Sequence, residues 1–310
     1  MKLHHSLKTY SKSPSIITTG TFDGVHIGHR KIINKLKSVA KAKGLQSVIL
    51  TFFPHPRMIL QHSSSIKLLN TIDERKDILE SLGLDHLVVI KFTKEFSKLS
   101  PEHYVKDILL NGLNAKHIII GYDHRFGKNR RADINDLIEF GHQFNFIVEE
   151  ISVQDVEEVA VSSTKIRSAL NVGDVKTANM FLGYNYFLTG SVIKGKQIGK
   201  QIGYPTANIH IKEEYKLIPQ NGVYVVKSVF DNTLFYGMMN IGTNPTVDGG
   251  EQSIEIHFFD LDQDLYGKKL KIELLERLRN ERKFESLNSL RTQLNRDKKE
   301  ALKFIDNSSD

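Results

Sequence analysis

Cysteine is absent from all 310 residues, which excludes disulfides and thiolate-bound metals and fits a cytoplasmic enzyme. Long apolar runs are absent too. None approaches the ~20 residues that a membrane span requires, so no membrane association is expected. The first residues, with His4, His5, Lys8 and Lys12 among polar neighbours, lack the apolar centre of a signal peptide. There is no long block of one charge. Forty-three basic against thirty-six acidic side chains leave +7, spread along the chain. An excess of that kind serves polyanionic small molecules as well as it serves nucleic acid, and no specific nucleic-acid partner is expected. Internal repeats and low-complexity segments are missing, and only Asn307–Asp310 reads as a frayed end. What is present is 40% apolar and 25% charged residues, the balance of a soluble globular protein. The length suffices for two cores, since single cores stop growing at roughly 250–300 residues.

The first half alternates strands with helices. Apolar runs at Ser15–Ile17, Ser47–Phe53, His86–Ile90, Lys116–Ile120 and Phe144–Ile151 read as five buried strands. Between them, Ile32, Ile33, Leu36, Val39 and Ala40 recur at helical spacing up to Gly44. Thr71–Glu74 has the form of a capping box before Ile78, Leu79 and Leu82. Pro101 opens a helix that runs to about Gly112, and Ile134–Phe140 forms another. This is the pattern of an α/β doubly wound parallel sheet, whose ligands bind beyond the carboxyl ends of the strands. Leu170–Leu182 reads as two short helices broken at Gly173-Asp174, and the boundary falls near residue 185, giving domains 1–185 and 186–310. Six short alternating runs follow, at 186–194, 206–211, 222–230, 234–241, 253–259 and 269–275. They predict a small antiparallel β-barrel. The tail from Ser286 to Ile305 places Leu287, Leu290, Leu294, Ala301, Leu302 and Ile305 on one face of a closing amphipathic helix.

Four loops of the first domain share the sheet edge where a ligand would sit: Gly20–His29, Pro54–Pro56, Gly121–Gly127 and Ser162–Arg167. The first joins a strand to a helix through glycines, leaving backbone N–H groups unpaired at the positive helix end, ready for a phosphate. His26 and His29, three apart, can point to one side of that end and donate where charge builds on phosphoryl oxygens. The segment resembles the H-x-G-H loop of the nucleotidyltransferase superfamily. Its longer form, G-T-F-D-G-V-H-x-G-H, resembles the bacterial bifunctional riboflavin kinase/FAD synthetase family. That resemblance places Gly20, Phe22, Asp23 and Gly28 at ATP. It sets Ser163, Thr164 and Arg167 on the ATP phosphates, with Arg167 clamping the leaving pyrophosphate. Gly121–Gly127 is similar to the family's G-[DE]-[DN]-F-x-F-G, with Tyr122 in place of the acidic residue and His124 in place of phenylalanine. The resemblance implies that Asp123 lies by the nucleotide and FMN, and that His55 of Pro54-His55-Pro56 lies near the flavin.

In the second domain, spaced glycines with Lys194, Lys196 and Lys200 run up to Pro205-Thr206-Ala207-Asn208. Glycines there allow close backbone approach to phosphates. The stretch resembles the P-T-A-N signature of riboflavin kinases, which implies that Thr206 and Asn208 bind Mg²⁺ beside the phosphates of an ATP held by Gly195, Gly199 and Lys200. In Ile254–Phe258 the apolar residues alternate, placing Glu255 and His257 on the opposite face. With Asp260, Asp262 and Tyr266-Gly267 this resembles the family's E-x-H-[IL]-x-D-F-D-x-D-[IL]-Y-G, which implies that Glu255 is the catalytic base. Asn244 stands where the family has arginine in N-I-G-x-R-P-T. Arg279, in a segment like the family's flap, is expected near the flavin.

The expected activities are therefore phosphorylation of riboflavin to FMN by Mg·ATP and adenylylation of FMN to FAD with release of pyrophosphate. Riboflavin, FMN and ATP are the expected small-molecule partners, and a homo-oligomer stays open. The alternatives are a riboflavin kinase whose adenylylation site is weakened, because of Tyr122 and His124, or an RNA-binding protein of synthetase ancestry.

Overall fold

A run in which every residue is buried, as Ser15–Thr19 is, belongs to a strand covered on both faces. In the computed structural model, which describes residues 1–61, 66–121, 124–151, 161–195, 198–243 and 252–308, this run lies inside a six-stranded sheet. The strands are β1 (Lys2–His4), β2 (Ser15–Thr19), β3 (Gln46–Phe53), β4 (His86–Lys91), β5 (Ala115–Gly121) and β6 (Ile147–Ile151). Their order is β1-β4-β3-β2-β5-β6, and every pairing is parallel. From β2 the chain moves outward through β3 and β4, then returns to the other side of β2 as β5. The order thus reverses between β2 and β5, and a crevice opens beyond their carboxyl ends.

The helices follow from their caps and stripes. α1 (Ile27–Lys43) buries Ile33, Leu36 and Ala40 and stops at Gly44, whose φ of 64° is left-handed. After α2 (Pro56–Leu60), α3 (Ile72–Ser81) begins at Thr71, whose hydroxyl accepts from Glu74 N while Glu74 returns a bond to Thr71 N. The helix expected from Pro101 starts as α4 (Pro101–His103) and then widens into a π-helical stretch over Tyr104–Leu110. The widening sets the Tyr104 hydroxyl 3.1 Å from Thr19 Oγ1, at the end of β2, with burial pushing Tyr104 up to about 12. α5 (Ile134–Phe144) completes this unit, whose core includes Ile17, Val48, Leu50, Val88, Ile118, Ile120 and Phe126.

Strand β1 is one that hydrophobic patterning missed, because three residues carry almost no pattern. It is held by polar groups. His4 Nδ1 donates to Thr9 O at 2.9 Å and its Nε2 meets His86 Nδ1 at 3.0 Å, with Tyr10 edge-on to both rings.

The chain divides into two compact units, Met1–Ser163 and Thr164–Asp310. Two helices placed by sequence in the first domain, α6 (Ser163–Asn171) and α7 (Val175–Leu182), lie almost wholly within the second unit. Asn179 is the reason at residue level: it donates to Leu274 O and accepts from Tyr186 N, while Arg277 reaches Val172 O. The barrel itself comprises β7 (Phe187–Ile193), β8 (Ala207–His210), β9 (Gly222–Phe230), β10 (Thr233–Thr243), β11 (Gln252–Phe258) and β12 (Lys269–Arg279). It closes in the order β10-β11-β8-β7-β12-β9, antiparallel throughout. A short α8 (Ile198–Gln201) lies between β7 and β8.

The final helix, α9 (Leu287–Asn307), covers one flank of the barrel with most of the face read from its sequence. Leu287 and Leu302 are exposed, whereas Leu290, Leu294, Ala301, Phe304 and Ile305 pack against Val223, Val225 and Met238. Asp297 falls within that buried stripe. Its carboxylate receives Arg279 Nε at 2.9 and 3.1 Å and Nη2 at 2.7 Å, and also Gln293 Nε2 at 2.7 Å.

Arg279→Ala would leave a fully buried carboxylate without its cation. The expected cost is about 3–5 kcal/mol, read as an earlier barrel transition in urea unfolding. Burial, then the charge of His4, holds His86 below the ordinary imidazole range; Lys2 and the amino terminus add to this and Asp85 opposes it. The unfolded chain therefore takes up a proton near pH ~6.5 that folded His86 refuses, and its contribution to stability is full above that pH and lost as pH falls through it. Thermal unfolding between pH 7.5 and 5.5 is expected to show a falling Tm, with a shallower slope in His86→Asn.

Candidate functional site

At the end of β2 the backbone is turned sharply. Gly20 N bonds Leu50 O, then Phe22, Gly24 and Val25 all take positive φ, at 46°, 87° and 36°, before α1 begins. A positive φ at a β-branched residue is uncommon and needs support from its surroundings. His26 is the residue that caps α1, yet its side chain makes no capping bond, so the first-turn N–H groups keep their capacity to donate outward. A side chain at Gly28 would put its Cβ 3.3 Å from the His26 ring; glycine lets that ring lie along the helix start. His26 and His29 stack with centroids 3.6 Å apart and planes 19° off parallel, and the Phe22 ring sits 4.9 Å from His29. Desolvation first, then the positive fields of His26 and Arg75, hold His29 well below the ordinary imidazole range. At neutral pH it is an uncharged ring. Its Nδ1 is buried and has no hydrogen-bond partner among the described residues.

Asp23 turns inward. It is fully buried, and its carboxylate accepts from Leu69 N at 3.0 and 3.1 Å and from Asn70 N at 3.3 Å. Arg75 Nη2 stands 3.5 Å away. The Asp23 carbonyl also accepts from Ser163 Oγ at 2.8 Å, which brings the start of the serine-rich segment to the loop. Gly20, Phe22, Asp23, Gly28, His26, His29 and Ser163 thus gather in one place. Thr164 and Arg167 lie on α6, in the second unit. His55 caps α2, its Nδ1 accepting from Arg57 N at 3.1 Å. Asp123 lies outside the described residues, as do Tyr122 and Lys196. Next to them, His124 stacks on Phe126 at 5.9 Å, and Phe126 in turn meets Tyr104 at 5.6 Å. Arg75 escaped the sequence reading: one residue past a capping box, it looks like any first-turn cation on a helix surface.

In the barrel, β8 and β11 bring the second set together. Asn208 and Glu255 are paired across the two strands, and Thr206 Oγ1 donates to Glu255 Oε2 at 3.2 Å. Ile254 and Ile256 point inward and are buried, leaving Glu255 half-exposed on the other face. A Cβ on Gly195 would stand 2.0 Å from Asn208 Nδ2, and one on Gly199 would stand 2.1 Å from Tyr204 O. Only glycine fits at 199, where the obstacle is backbone, and at 195 a side chain would have to push Asn208 aside. Lys200 is exposed on α8. Two segments are tied by His257, whose Nδ1 donates to Pro205 O at 2.9 Å, beside a Tyr204 ring 4.9 Å away. Burial holds His257 below the ordinary imidazole range, against the raising effect of that bond. The Tyr204 hydroxyl donates to Asn295 on α9. A cavity of about 500 Å³ opens here, lined by Tyr204, His257, Asp260, Arg291, Asn295 and Lys298 among others. Arg279, by contrast, spends Nε and Nη2 on Asp297 and Nη1 on Asn280 O at 3.0 Å.

The Thr206–Asn208–Glu255 group suits a hard cation. A hydroxyl that gives its proton to Glu255 keeps both oxygen lone pairs, and an amide oxygen is the other neutral donor. Among the described residues no cluster of three or more histidines and carboxylates offers an alternative metal site.

Residues 8–165 match the family model for FAD synthetase and residues 182–305 that for riboflavin kinase. The bifunctional riboflavin kinase/FMN adenylyltransferase of Bacillus subtilis is 37% identical, covering 98% of this chain and 96% of its own. The protein of the same name from Buchnera aphidicola subsp. Schizaphis graminum is 39% identical over 94% of each. A crystal structure described as a macrolide-efflux protein from Streptococcus pneumoniae superposes with a TM-score of 0.85 at 30% identity, covering 96% and 97% of the two chains. Among the described residues of this chain, no helix is long and apolar enough to cross a membrane. The chain carries a FAD synthetase domain followed by a riboflavin kinase domain, and it belongs to the bifunctional riboflavin kinase/FMN adenylyltransferase family.

Proposed function

We propose that this chain converts riboflavin to FMN at the barrel and FMN to FAD at the parallel sheet, each step consuming one ATP. The observation that carries the reading is that each compact unit has its own glycine-built turn beside its own cluster of polar side chains: His26 and His29 in one, Thr206, Asn208 and Glu255 in the other.

At the barrel, Glu255 accepts the proton of the ribityl 5′-hydroxyl as that oxygen attacks the γ-phosphorus of ATP, and ADP leaves. Thr206 and Asn208 hold Mg²⁺, which when bound neutralises charge on the ATP phosphates. Gly195, Gly199 and Lys200 line the phosphates, the glycines by close backbone approach and the lysine by charge.

At the sheet, an oxygen of the FMN phosphate attacks the α-phosphorus of a second ATP and the bond to pyrophosphate breaks. No general base is needed, because a phosphate dianion is already a nucleophile. The α1 N-terminus, with His26 and a neutral His29, donates hydrogen bonds to oxygens on which charge builds. Gly20, Phe22, Asp23 and Gly28 shape the ATP site, directly or by holding the loop. Ser163, Thr164 and Arg167 take the leaving pyrophosphate, Arg167 through its planar fork. His55 and Asp123 serve the flavin. Arg279 contributes to flavin binding through the segment it anchors, since its own donors are engaged by Asp297 and Asn280. ATP as co-substrate and the absence of cysteine suit a cytoplasmic setting.

Riboflavin, ATP and magnesium incubated with the protein, with flavins separated by chromatography, test both halves. Glu255→Ala is expected to lower FMN formation by about 10²–10⁴-fold and leave added FMN convertible to FAD. His29→Ala is expected to do the reverse, with a loss of about 10²–10³-fold in FAD formation. A folded wild-type chain that makes neither product would overturn the reading. Gly195→Ala drives a methyl into Asn208; the kinase is expected to need more magnesium for half-maximal rate while adenylylation is unaltered.

A further inference from the structure

Beneath the H-x-G-H loop lies a buried polar knot that the reaction itself does not explain. Arg75 is among the largest fully buried side chains of the described residues, and Asp23 is buried completely. Taking both charges out of water is expensive unless each is paired and hydrogen-bonded. The pairing here has a direction. Arg75 Nη2 faces Asp23 at 3.5 Å, while Nη1 donates to Thr51 Oγ1 on β3 at 3.4 Å. Thr51 Oγ1 in turn donates to Thr21 O at 3.3 Å. One guanidinium therefore grips the loop on either side of Phe22, the residue with a φ of 46° whose ring packs on His29. Backbone geometry as unusual as that of Phe22 and Val25 persists only where the surroundings over-determine it.

We propose that Arg75 is a positioning residue of the adenylylating site: from within the core it holds Thr21 and Asp23, and through Phe22 it fixes the stacked His26–His29 pair at the mouth of α1. This rests on the reading of the first unit as an FMN adenylyltransferase. A planar fork suits the task because two nitrogens reach two partners at once, which an ammonium does less well. The same cation has a second effect. Besides burial, His26 from the loop and Arg75 from α3, which faces Asp23, both disfavour a proton on His29. A buried arginine thus adds to the burial that keeps the ring uncharged.

The test compares Arg75→Met, Arg75→Lys and Thr51→Val with wild type in two measurements. One is steady-state formation of FAD and pyrophosphate from FMN and ATP; the other is NMR titration of His29 with ¹³Cε1-labelled histidine, assigned with His29→Asn. Arg75→Met is expected to lower kcat by about a hundredfold, the scale of a small misplacement of catalytic groups. Its His29 titration should move to higher pH. Arg75→Lys should leave the titration in place and recover most of the rate. Thr51→Val keeps the ion pair, so it reads the grip on Thr21 even if Arg75→Met fails to fold: kcat should fall with His29 unmoved. Folded Arg75→Met and Thr51→Val proteins with wild-type rates would overturn the proposal. So would an Arg75→Met protein whose rate falls while His29 titrates as before, since that is the mark of a merely structural role. If wild type forms no FAD, the functional reading fails instead, and the His29 titration still judges the link to Arg75.

Discussion

A loop that binds phosphate through its backbone must leave N–H groups unpaired, and a loop with unpaired N–H groups cannot hold its own shape by backbone bonding. The shape has to be imposed from outside. In the first unit that work falls to side chains: Asp23 bonds the backbone at Leu69 and Asn70, Thr51 bonds the backbone at Thr21, and Ser163 bonds the backbone at Asp23. In the barrel it falls to strand pairing, since Asn208 and Glu255 sit on adjacent strands in register. Different folds answer the same demand with different means.

The two sites also differ in how they treat charge. In the sheet unit His29 is held uncharged by burial, His26 and Arg75, and the carboxylate of Asp23 is fully buried. The barrel site keeps its carboxylate, Glu255, half-exposed beside a hydroxyl and an amide. A nucleophile that arrives as a dianion needs donors and no base, whereas an alcohol needs a base. The residues on each side match the acidity of the group expected there.

Much of this was legible in the sequence, because glycine spacing, capping boxes and alternation leave local marks. The α1 loop, the α3 cap and the strands β8 and β11 all appear where those marks put them. What stayed hidden had a polar residue performing an apolar or structural task. Asp297 occupies the buried stripe of α9 among Leu290, Leu294, Ala301 and Ile305, where the pattern put only apolar residues and added the exposed Leu287 and Leu302. Strand β12 continues to Arg279, but register shifts after Leu274 and Arg277 break its alternation, and the pattern ended at Leu275. Strand β1 has three residues and a histidine pair in place of a hydrophobic run. Arg75 has no sequence mark at all; only the fold shows that this cation points inward.

The contact between Tyr204 and Asn295 has a bearing on how the protein comes into being. Tyr204 immediately precedes Pro205 and the Thr206–Asn208 segment, and its partner stands more than ninety positions further along the chain, on α9. During synthesis the sheet can assemble while the ribosome is still adding the barrel, because domains fold as units in the order they emerge. The riboflavin-handling half has no such head start. Its Thr206–Asn208 turn is buttressed by a helix that follows all six barrel strands, so that turn gains its support only after the whole barrel has been made.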